Sequence, residues 1–379
     1  MADLRGVLEA HVTSGALPGA VALVARGDRV EFAAVGSVDV EGSAPMTRES
    51  IFRFASLTKP ITAAALLVLV DDGRVGLHDP IGRWLPELAD PVVVRTPRSA
   101  VEDVVPAVRP ITVFDLLTSQ AGFGFASDFS LPAVQRLLPV QHDGRLPQAF
   151  PPADVWLAEL SRVPLLHQPG QSWLYDTCSA VQGALVARAS GGSLPAFLAE
   201  RVFGPLGMTG AGFSVPEADR DRFTSFYKVE DGGGLRLADR PDGQWSVPPA
   251  FPLGSGGLVG TVDDWYAFAR MLLAGGALDG RRVLSAESVR LMTTDHTTPA
   301  HREIGALFLE GQGWGMGGSV DIAATDPWTV PGRYGWVGGT GTSAHVVPTT
   351  STTAILLTQV GEDSPVAPAW MRDFWQYAA

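Results

Sequence analysis

Residues 52–60 read Phe-Arg-Phe-Ala-Ser-Leu-Thr-Lys-Pro, and residues 61–70 continue as Ile-Thr-Ala-Ala-Ala-Leu-Leu-Val-Leu-Val. This pattern predicts an extended, aromatic-rich approach to a helix whose first turn carries Ser56 and Lys59. Side chains three residues apart lie on one face of a helix, so the hydroxyl and the amine can meet. A serine at a helix start also has outward backbone N–H groups and the positive end of the helix dipole beside it. A hydroxyl that acts as a nucleophile needs such surroundings and a neighbouring base.

The lysine in this stretch is unusual for the chain. The sequence holds 28 lysine and arginine residues, and only Lys59 and Lys228 are lysines. Arginine keeps its proton in proteins, whereas a buried or charge-flanked lysine can lose it. A role that needs a neutral amine would therefore retain a lysine here; the alternative is an ordinary helix start with a polar first turn.

A second Ser-x-x-Lys pattern occurs at Ser225-Phe-Tyr-Lys228. The glycines that follow it predict an aromatic strand entering a turn, and residues three apart on a strand point to opposite faces. This copy is not expected to form a site.

The composition predicts a globular protein with a large buried core. The chain has 379 residues, of which 46% are hydrophobic and 18% charged, and its net charge of −12 argues against nucleic acid as a partner. The longest apolar run, residues 61–70, is too short to span a bilayer, and the first residues lack the apolar core of a signal peptide. We therefore expect a cytoplasmic protein with no membrane partner; the oligomeric state is left open.

Apolar β-type runs near both ends of the chain predict one antiparallel sheet. Residues 19–25 and 30–35 form a hairpin around a short polar turn. Three further runs lie at residues 335–338, 344–347 and 353–358. The sheet is therefore expected to combine strands from the two ends of the sequence.

The middle of the chain has a different texture. Prolines punctuate residues 90–210, and the periodic pieces between them predict a mostly helical lobe. We expect an α+β fold in which residues 1–89 and 211–379 form a discontinuous sheet domain with flanking helices. Residues 90–210 form the helical domain, and the active site lies between the two.

Tyr175 is the candidate base among the five tyrosines. The segment Gln-Pro-Gly-Gln-Ser-Trp-Leu-Tyr leads from a Pro-Gly turn towards a helix, so its phenol can enter a cleft between lobes. A tyrosine near a positively charged lysine gives up its proton more readily and can act as a general base. The structural alternative is an aromatic residue packed beside Trp173.

The run that begins Tyr334-Gly-Trp-Val-Gly-Gly is the third candidate element. Its glycines let a substrate lie close along a strand edge, and a backbone N–H there can complete an oxyanion hole. A glycine-rich hairpin without a catalytic role is equally compatible with these residues.

Other chemistry finds little support in the sequence. Neither Gly-x-Ser-x-Gly nor His-Glu-x-x-His occurs. His296, His301 and Glu303 fall on a predicted polar loop, where a solvated turn is favoured over a metal site. Cys178, the single cysteine, cannot form an internal disulfide and is expected to be a small buried apolar residue. No metal and no cofactor is expected.

Together these elements resemble the serine β-lactamase and penicillin-binding-protein superfamily, whose class C β-lactamase-like branch is similar over nearly the whole chain. The similar segments include Gly-Ala-Val-Ala-Leu-Val-Ala-Arg-Gly, Gly-Arg-Val-Gly-Leu-His-Asp-Pro-Ile and Gly-Ser-Gly-Gly-Leu-Val-Gly-Thr-Val-Asp-Asp-Trp. The resemblance implies the class C β-lactamase-like fold. It also implies that Ser56 is the acylated nucleophile, Lys59 its proton partner and Tyr175 the base and later proton donor. The backbone N–H groups of Ser56 and Gly339 would form the oxyanion hole.

Departures from the family pattern bear on the substrate. Thr177 replaces the asparagine of the family's Tyr-x-Asn element, which in β-lactamases contacts the acyl amide. Trp336-Val-Gly338 stands where the family has Lys-Thr-Gly or His-x-Gly, so Trp336 replaces the residue that helps hold the β-lactam carboxylate. Trp-x-Gly resembles the family VIII carboxylesterases. Thr177, Trp336 and Gly338 are the predicted substrate-binding residues, and Ser119 stands where many relatives have histidine.

We therefore predict a serine esterase that cleaves small-molecule carboxylic esters through an acyl-enzyme on Ser56. A β-lactamase, or a D-amino-acid amidase or peptidase, would use the same groups on amides. An acyltransferase would pass the acyl group to an alcohol. A non-catalytic penicillin-recognition or sensor module is a further alternative, although it has no need of Ser56, Lys59 and Tyr175 together.

Overall fold

The fold is taken from a computed structural model that describes residues 3–361 and 364–379. The β-strands of this part of the chain are β1 (Gly19–Arg26), β2 (Arg29–Gly36), β3 (Phe52–Arg53), β4 (Val92–Val94), β5 (Val104–Pro106), β6 (Phe226–Val229), β7 (Leu235–Asp239), β8 (Val259–Gly260), β9 (Ala277–Leu278), β10 (Arg281–Arg282), β11 (Gly313–Trp314), β12 (Ser319–Val320), β13 (Tyr334–Gly338), β14 (Thr342–Val347), β15 (Thr352–Thr358) and β16 (Val360–Gly361).

The helices surround and cross the strands. They are α1 (Leu4–Thr13), α2 (Thr58–Asp71), α3 (Val113–Leu117), α4 (Pro132–Gln141), α5 (Ala153–Leu160), α6 (Thr177–Ser190), α7 (Leu194–Leu198), α8 (Gly204–Leu206), α9 (Val262–Leu273), α10 (Ala286–Met292), α11 (Pro299–Ile304), α12 (Ala306–Leu309) and α13 (Ala369–Ala378). A π-helical turn, Ala199–Phe203, joins α7 to α8. The 3₁₀ turns are Ala55–Leu57, Ile81–Arg83, Pro86–Leu88, Pro147–Ala149, Glu217–Arg222 and Pro348–Thr350.

One antiparallel sheet of seven strands has the order β11-β12-β13-β14-β15-β1-β2. The predicted sheet from both chain ends is confirmed, and β11 and β12 extend it beyond the predicted strands. Along β1, Val21 and Leu23 belong to the core that contains α2 and α9, whereas Ala22 and Val24 belong to the core with α1 and α13. Because side chains alternate along a strand, the sheet is covered on both faces.

Helix α2 lies in the interior of the protein. Its residues from Thr58 to Leu69 are all buried, which fits a helix that is apolar around its circumference. It begins at Thr58, so Ser56 lies in the preceding 3₁₀ turn and not in the first α-helical turn as expected. The tighter turn still brings Ser56 and Lys59 to one side of the chain.

The middle of the chain is mostly helical, as predicted, with one addition. The short strands β4 and β5 pair antiparallel within it and were not expected. The boundaries of the two domains, at residues 90 and 210, stay a prediction.

The region near residue 300 differs from its prediction as a polar loop. Residues 299–304 form α11, which Thr298 caps in a capping box with His301, and His301 is buried. Proline at the first helical position and a threonine before it favour this helix start.

No helix in residues 3–361 and 364–379 has both the length and the apolar character needed to cross a bilayer. The cytoplasmic location stays a prediction.

Candidate active site

Ser56 is half-buried between β3 and α2. The residue before it, Ala55, has a φ of +46°, a left-handed conformation that a residue with a Cβ adopts only when its surroundings hold it there. One such restraint is the Thr342 hydroxyl, which donates to the Phe54 carbonyl oxygen over 3.0 Å. Strand β14 therefore helps to fix the backbone from which the Ser56 hydroxyl projects.

A buried ion pair supports the strand that enters this turn. Arg53 Nη2 lies 2.5 Å from Asp239 Oδ2, and its guanidinium carbon lies 4.1 Å from the centre of the Phe223 ring. Burial lowers the pKa of Arg53 to about 10, against the opposing effect of Asp239. The Thr340 hydroxyl donates to the Arg53 carbonyl oxygen over 2.6 Å, which ties β3 to the segment after β13.

The Lys59 ammonium group is buried and makes three hydrogen bonds. Its Nζ donates to Ser56 Oγ over 2.9 Å, to Asp176 Oδ1 over 2.6 Å and to the Ser255 carbonyl oxygen over 2.7 Å. Burial lowers the pKa of Lys59, but the charges and hydrogen bonds of Asp176 and Tyr175 outweigh it and raise the pKa above its usual value. The predicted meeting of Ser56 and Lys59 is present in the structure.

Tyr175 also contacts Ser56. Its hydroxyl lies 2.9 Å from Ser56 Oγ and donates to it, and Lys59 Nζ lies 4.8 Å from the centre of its ring. Hydroxyl hydrogens can reorient, so once Tyr175 has lost its own proton the same contact can carry a proton from Ser56 to Tyr175. An isolated β-bridge between Tyr175 and Phe125 fixes the backbone of this segment.

Trp336 contacts Tyr175 directly. Its indole Nε1 donates to the Tyr175 hydroxyl oxygen over 2.9 Å, and its side chain is 4% exposed. Indole nitrogen is a donor only, so the phenolic oxygen must be the acceptor. This geometry makes Trp336 a partner of Tyr175; direct contact with substrate stays a prediction.

Gly338 and Gly339 are consecutive residues, and Gly338 lies against the turn that carries Ser56. A Cβ on Gly338 would overlap Thr342 Oγ1 and the Phe54 carbonyl oxygen, so glycine is required for the close approach of β13 to the Ser56 turn. Gly339 is exposed, with open space where a Cβ would stand. Within the described residues, the structure gives no acceptor for the N–H of Gly339, the predicted partner of the Ser56 N–H. Their role as oxyanion hole stays a prediction.

Thr177 does not reach the cleft. Its side chain is fully buried, and its hydroxyl donates to Gln141 Oε1 over 2.7 Å. A side chain without exposed surface cannot touch a molecule in the cleft unless the site rearranges. The expected substrate contact of Thr177 is therefore replaced by a structural contact at the start of α6.

Ser119 and Cys178 are also buried. Ser119 has a φ of +59°, and its carbonyl oxygen accepts from the Leu174 N–H over 3.0 Å, which supports the segment before Tyr175. Burial raises the pKa of the Cys178 thiol to about 12, so it stays neutral. The prediction of a small buried apolar cysteine is confirmed.

The sequence profile of the Beta-lactamase family matches residues 4–374 of the chain. The match covers nearly the whole sequence and includes every candidate site residue. This chain belongs to the Beta-lactamase family. Membership places it among the serine hydrolases of the β-lactamase superfamily and confirms the resemblance of its motifs.

Individual relatives agree with this assignment to the Beta-lactamase family. Protein Rv1367c of Mycobacterium tuberculosis (strain ATCC 25618 / H37Rv) is 38% identical over 377 residues, which cover 97% of this chain and 91% of that protein. Esterase EstB of Burkholderia gladioli is 34% identical over 279 residues, 69% of this chain and 67% of that protein. The structure of EstCE1, described as a hydrolase with promiscuous acyltransferase activity, is 24% identical over 99% of this chain and 97% of its own, with a TM-score of 0.81. The EstCE1 match shows that the fold is shared.

Asp176, Gln141 and Ser255 are site residues of this Beta-lactamase family chain that the sequence did not predict. Asp176 Oδ2 accepts from Gln141 Nε2 over 2.7 Å, while its Oδ1 faces Lys59. The position of Asp176 directly after Tyr175 was an available indication, because a buried lysine needs a counter-ion. Gln141 ends α4 and carried no such indication.

An aromatic wall extends from Tyr175 towards solvent. We use this name for Phe125, Phe129, Tyr175 and Phe308. The Tyr175 and Phe308 rings stack with their centres 4.7 Å apart, and Phe129 lies 6.1 Å from Phe308 and 5.4 Å from Phe125. Phe129 is 37% exposed, so the aromatic wall reaches from the reactive hydroxyls to the protein surface.

Among residues 3–361 and 364–379, no group of three or more His, Cys, Asp and Glu side chains is placed to hold a metal ion.

Proposed function

We propose that this protein hydrolyses carboxylic esters through an acyl-enzyme on Ser56. The observation that carries the proposal is the pair of 2.9 Å contacts that join Ser56 Oγ to Lys59 Nζ and to Tyr175 Oη. A nucleophile within hydrogen-bond reach of a base, which is itself oriented by a third group, is the arrangement needed for nucleophilic catalysis. Trp336 supplies that orientation through its bond to Tyr175.

In the acylation step, Ser56 Oγ attacks the ester carbonyl carbon while its proton passes to the Tyr175 oxygen, which acts in its phenolate form. The new C–O bond produces a tetrahedral oxyanion, which the N–H groups of Ser56 and Gly339 stabilise. The bond to the alcohol then breaks, and Tyr175 returns the proton to the leaving alkoxide.

Deacylation repeats these transfers with water. Tyr175 accepts a proton as water attacks the acyl carbon, and a second tetrahedral oxyanion forms in the same place. Its collapse breaks the bond to Ser56 Oγ, which regains a proton from Tyr175. The products are a carboxylic acid and an alcohol, and the enzyme returns to its starting state.

Two features support an ester over a β-lactam as the substrate. Trp336 carries no charge and donates its only N–H to Tyr175, so this position offers no cation for a β-lactam carboxylate. Thr177 is buried and bonded to Gln141, so it offers no contact to an acyl amide. The similarity to a protein named esterase EstB agrees with this preference.

The aromatic wall supports an apolar substrate. These rings are partly exposed beside the nucleophile, so the free energy of the complex is lowered when an apolar group of the substrate covers them. We therefore expect esters with an apolar acyl or alcohol part. The Trp-x-Gly element supports the same assignment, because it resembles the family VIII carboxylesterases.

The test compares hydrolysis of p-nitrophenyl butyrate and of nitrocefin by the wild type and by Ser56→Ala. We expect fast ester cleavage and little nitrocefin turnover, both abolished by Ser56→Ala. Ser225→Ala is the matched control, because it removes the serine of the other Ser-x-x-Lys pattern and should retain the activity. Full ester turnover by Ser56→Ala would refute the proposal, and preferential turnover of nitrocefin would reassign the protein as a β-lactamase.

A further inference from the structure

The backbone at Asp176 adopts a strained conformation, which bears on the role of its carboxylate. Asp176 has φ +79° and ψ −60°, and the Thr177 N–H donates to the Tyr175 carbonyl oxygen over 3.2 Å. These values define a γ-turn centred on Asp176, a rare and strained conformation for a residue with a Cβ. Glycine would relieve the strain, so the aspartate is present for what its carboxylate contacts.

Both carboxylate oxygens of Asp176 have a defined partner. Oδ1 accepts from Lys59 Nζ over 2.6 Å and Oδ2 accepts from Gln141 Nε2 over 2.7 Å. Gln141 is held in turn by the Thr177 hydroxyl, which donates to its Oε1 over 2.7 Å. Lys59 and Gln141 are 1% and 2% exposed. The Asp176 carboxylate therefore contacts the Lys59 ammonium group in surroundings where water screens their attraction only weakly.

We propose that Asp176 is a positioning residue that keeps Lys59 as an ammonium ion throughout turnover, so that Ser56 loses its proton to Tyr175 and not to Lys59. This inference rests on the proposed esterase function and extends it by dividing the roles of the two candidate bases.

The hydrogen bonds alone leave two protonation states open for Lys59. A neutral amine could donate to Asp176 and Ser255 and accept a proton from Ser56, whereas an ammonium ion donates to all three. The carboxylate decides between them, because an opposite charge at this distance favours the charged form of a lysine.

The other ionisable groups near Lys59 do not oppose this assignment. Tyr175 faces Lys59 from the loop before α6, and together with Asp176 it raises the pKa of Lys59 against the effect of burial. From α6, Cys178 lies in the field of Asp176 and Asp115, and burial keeps its thiol neutral with a pKa of about 12. The segment at Ser255 contributes a neutral carbonyl oxygen.

The experiment uses the low lysine content of the chain. Lysine labelled with ¹³C at Cε gives one signal for Lys59 and one for Lys228, and Lys228→Arg assigns them. In the wild type, we expect the Lys59 signal to remain that of an ammonium ion up to at least about pH 10. In Asp176→Asn the titration of Lys59 should move down by about 1–3 pH units, because burial then acts without the counter-ion.

The pH profile of kcat/KM for p-nitrophenyl butyrate supplies a second readout. We expect the activity of Asp176→Asn to fall on the alkaline side at the pH where the Lys59 signal titrates, reaching about a tenfold loss one unit above it. Asp115→Asn is the matched control. It removes another buried carboxylate, paired with Arg109 over 2.6 Å, and should lower stability without moving either profile.

Two results would overturn the inference: a neutral Lys59 in the wild type at pH 7, or an unchanged Lys59 titration in Asp176→Asn. If Asp176→Asn folds poorly, Asp176→Gly removes the same charge while it relaxes the γ-turn, and it must show the same shift. Absence of ester turnover in the wild type would refute the proposed function. Normal turnover with an unmoved Lys59 titration would refute the role of Asp176 alone.

Discussion

Trp336→Phe tests whether the indole N–H assists Tyr175 in catalysis. The substitution keeps an aromatic ring in the position that packs against Tyr175, whose ring centre lies 5.7 Å away, and removes the 2.9 Å hydrogen bond from Nε1. When Tyr175 acts as the base, its oxygen carries negative charge, and the hydrogen bond from Trp336 Nε1 stabilises that charge. We therefore expect Trp336→Phe to lower kcat/KM for p-nitrophenyl butyrate.

The size of the loss follows from the kind of bond removed. A hydrogen bond to a charged group contributes about 1.5–3 kcal/mol, which corresponds to about a 10- to 150-fold difference in rate if the full charge is present in the transition state. When the charge on the Tyr175 oxygen is half present in the transition state, about half of this free energy is lost. The net decrease in kcat/KM is then about 3- to 12-fold.

Trp314→Phe is the control for lost packing. Trp314 contacts Trp336 with ring centres 4.7 Å apart, and its Nε1 has no hydrogen-bond partner within the described residues. The variant Trp314→Phe therefore loses ring area without losing a hydrogen bond. Its kcat/KM should stay within about twofold of the wild type. Equal losses in the two variants would refute the assistance of Tyr175 by Trp336.

Three further predictions concern packing, specificity and pH. Gly338→Ala should lower the melting temperature and esterase activity, with a destabilisation of about 1–3 kcal/mol, because its Cβ would overlap Thr342 Oγ1; Gly339→Ala, with open space at its Cβ, should change stability little. Phe308→Ala should reduce kcat/KM for p-nitrophenyl hexanoate more than for the acetate, since a longer acyl group covers more of the aromatic wall; equal losses on both esters would contradict this. Burial holds the pKa of His345 well below its usual range, so the unfolded chain binds a proton that the folded protein does not. Stability should therefore fall as the pH drops below about 6.5, by up to about 1.4 kcal/mol per pH unit from this residue, and urea unfolding of His345→Gln should show a correspondingly smaller decrease.

The contact of Ser56 with Lys59 could be predicted from local sequence, whereas Tyr175 was placed with them through a local turn signal and the family resemblance. Their catalytic roles stay a prediction. Ser56 and Lys59 are three residues apart, and a turn followed by a helix start is visible around Tyr175. The contacts of Gln141 and Ser255 could not be predicted, because they form only when segments far apart in sequence meet. Similarly, the hydrogen bond from Trp336 to Tyr175 could not be predicted, because the two residues lie far apart in sequence.

In the fold, likewise, elements with a long local pattern could be predicted, and short ones could not. Long apolar runs such as β1 and β15 were visible, whereas β11, with two residues, is too short for its alternation to be recognised. The helix α11 occupies the predicted polar loop, although Thr298-Pro299 is a recognisable helix start. The polar side chains around His301 favour a loop, and they conceal this start in the sequence.

The pairing of β1 with β15 has a consequence for biosynthesis. Ala20 lies opposite Thr358 in this register. Strand β1 is therefore synthesised more than 300 residues before the strand β15 with which it pairs. Contacts of such sequence separation form slowly, and until then the apolar edge of β1 is exposed to other chains. The Ser56 turn in turn depends on Thr342, in the neighbouring strand β14. A nascent chain can therefore carry its nucleophile long before it can use it, and we expect activity to emerge only after the final sheet strands have left the ribosome.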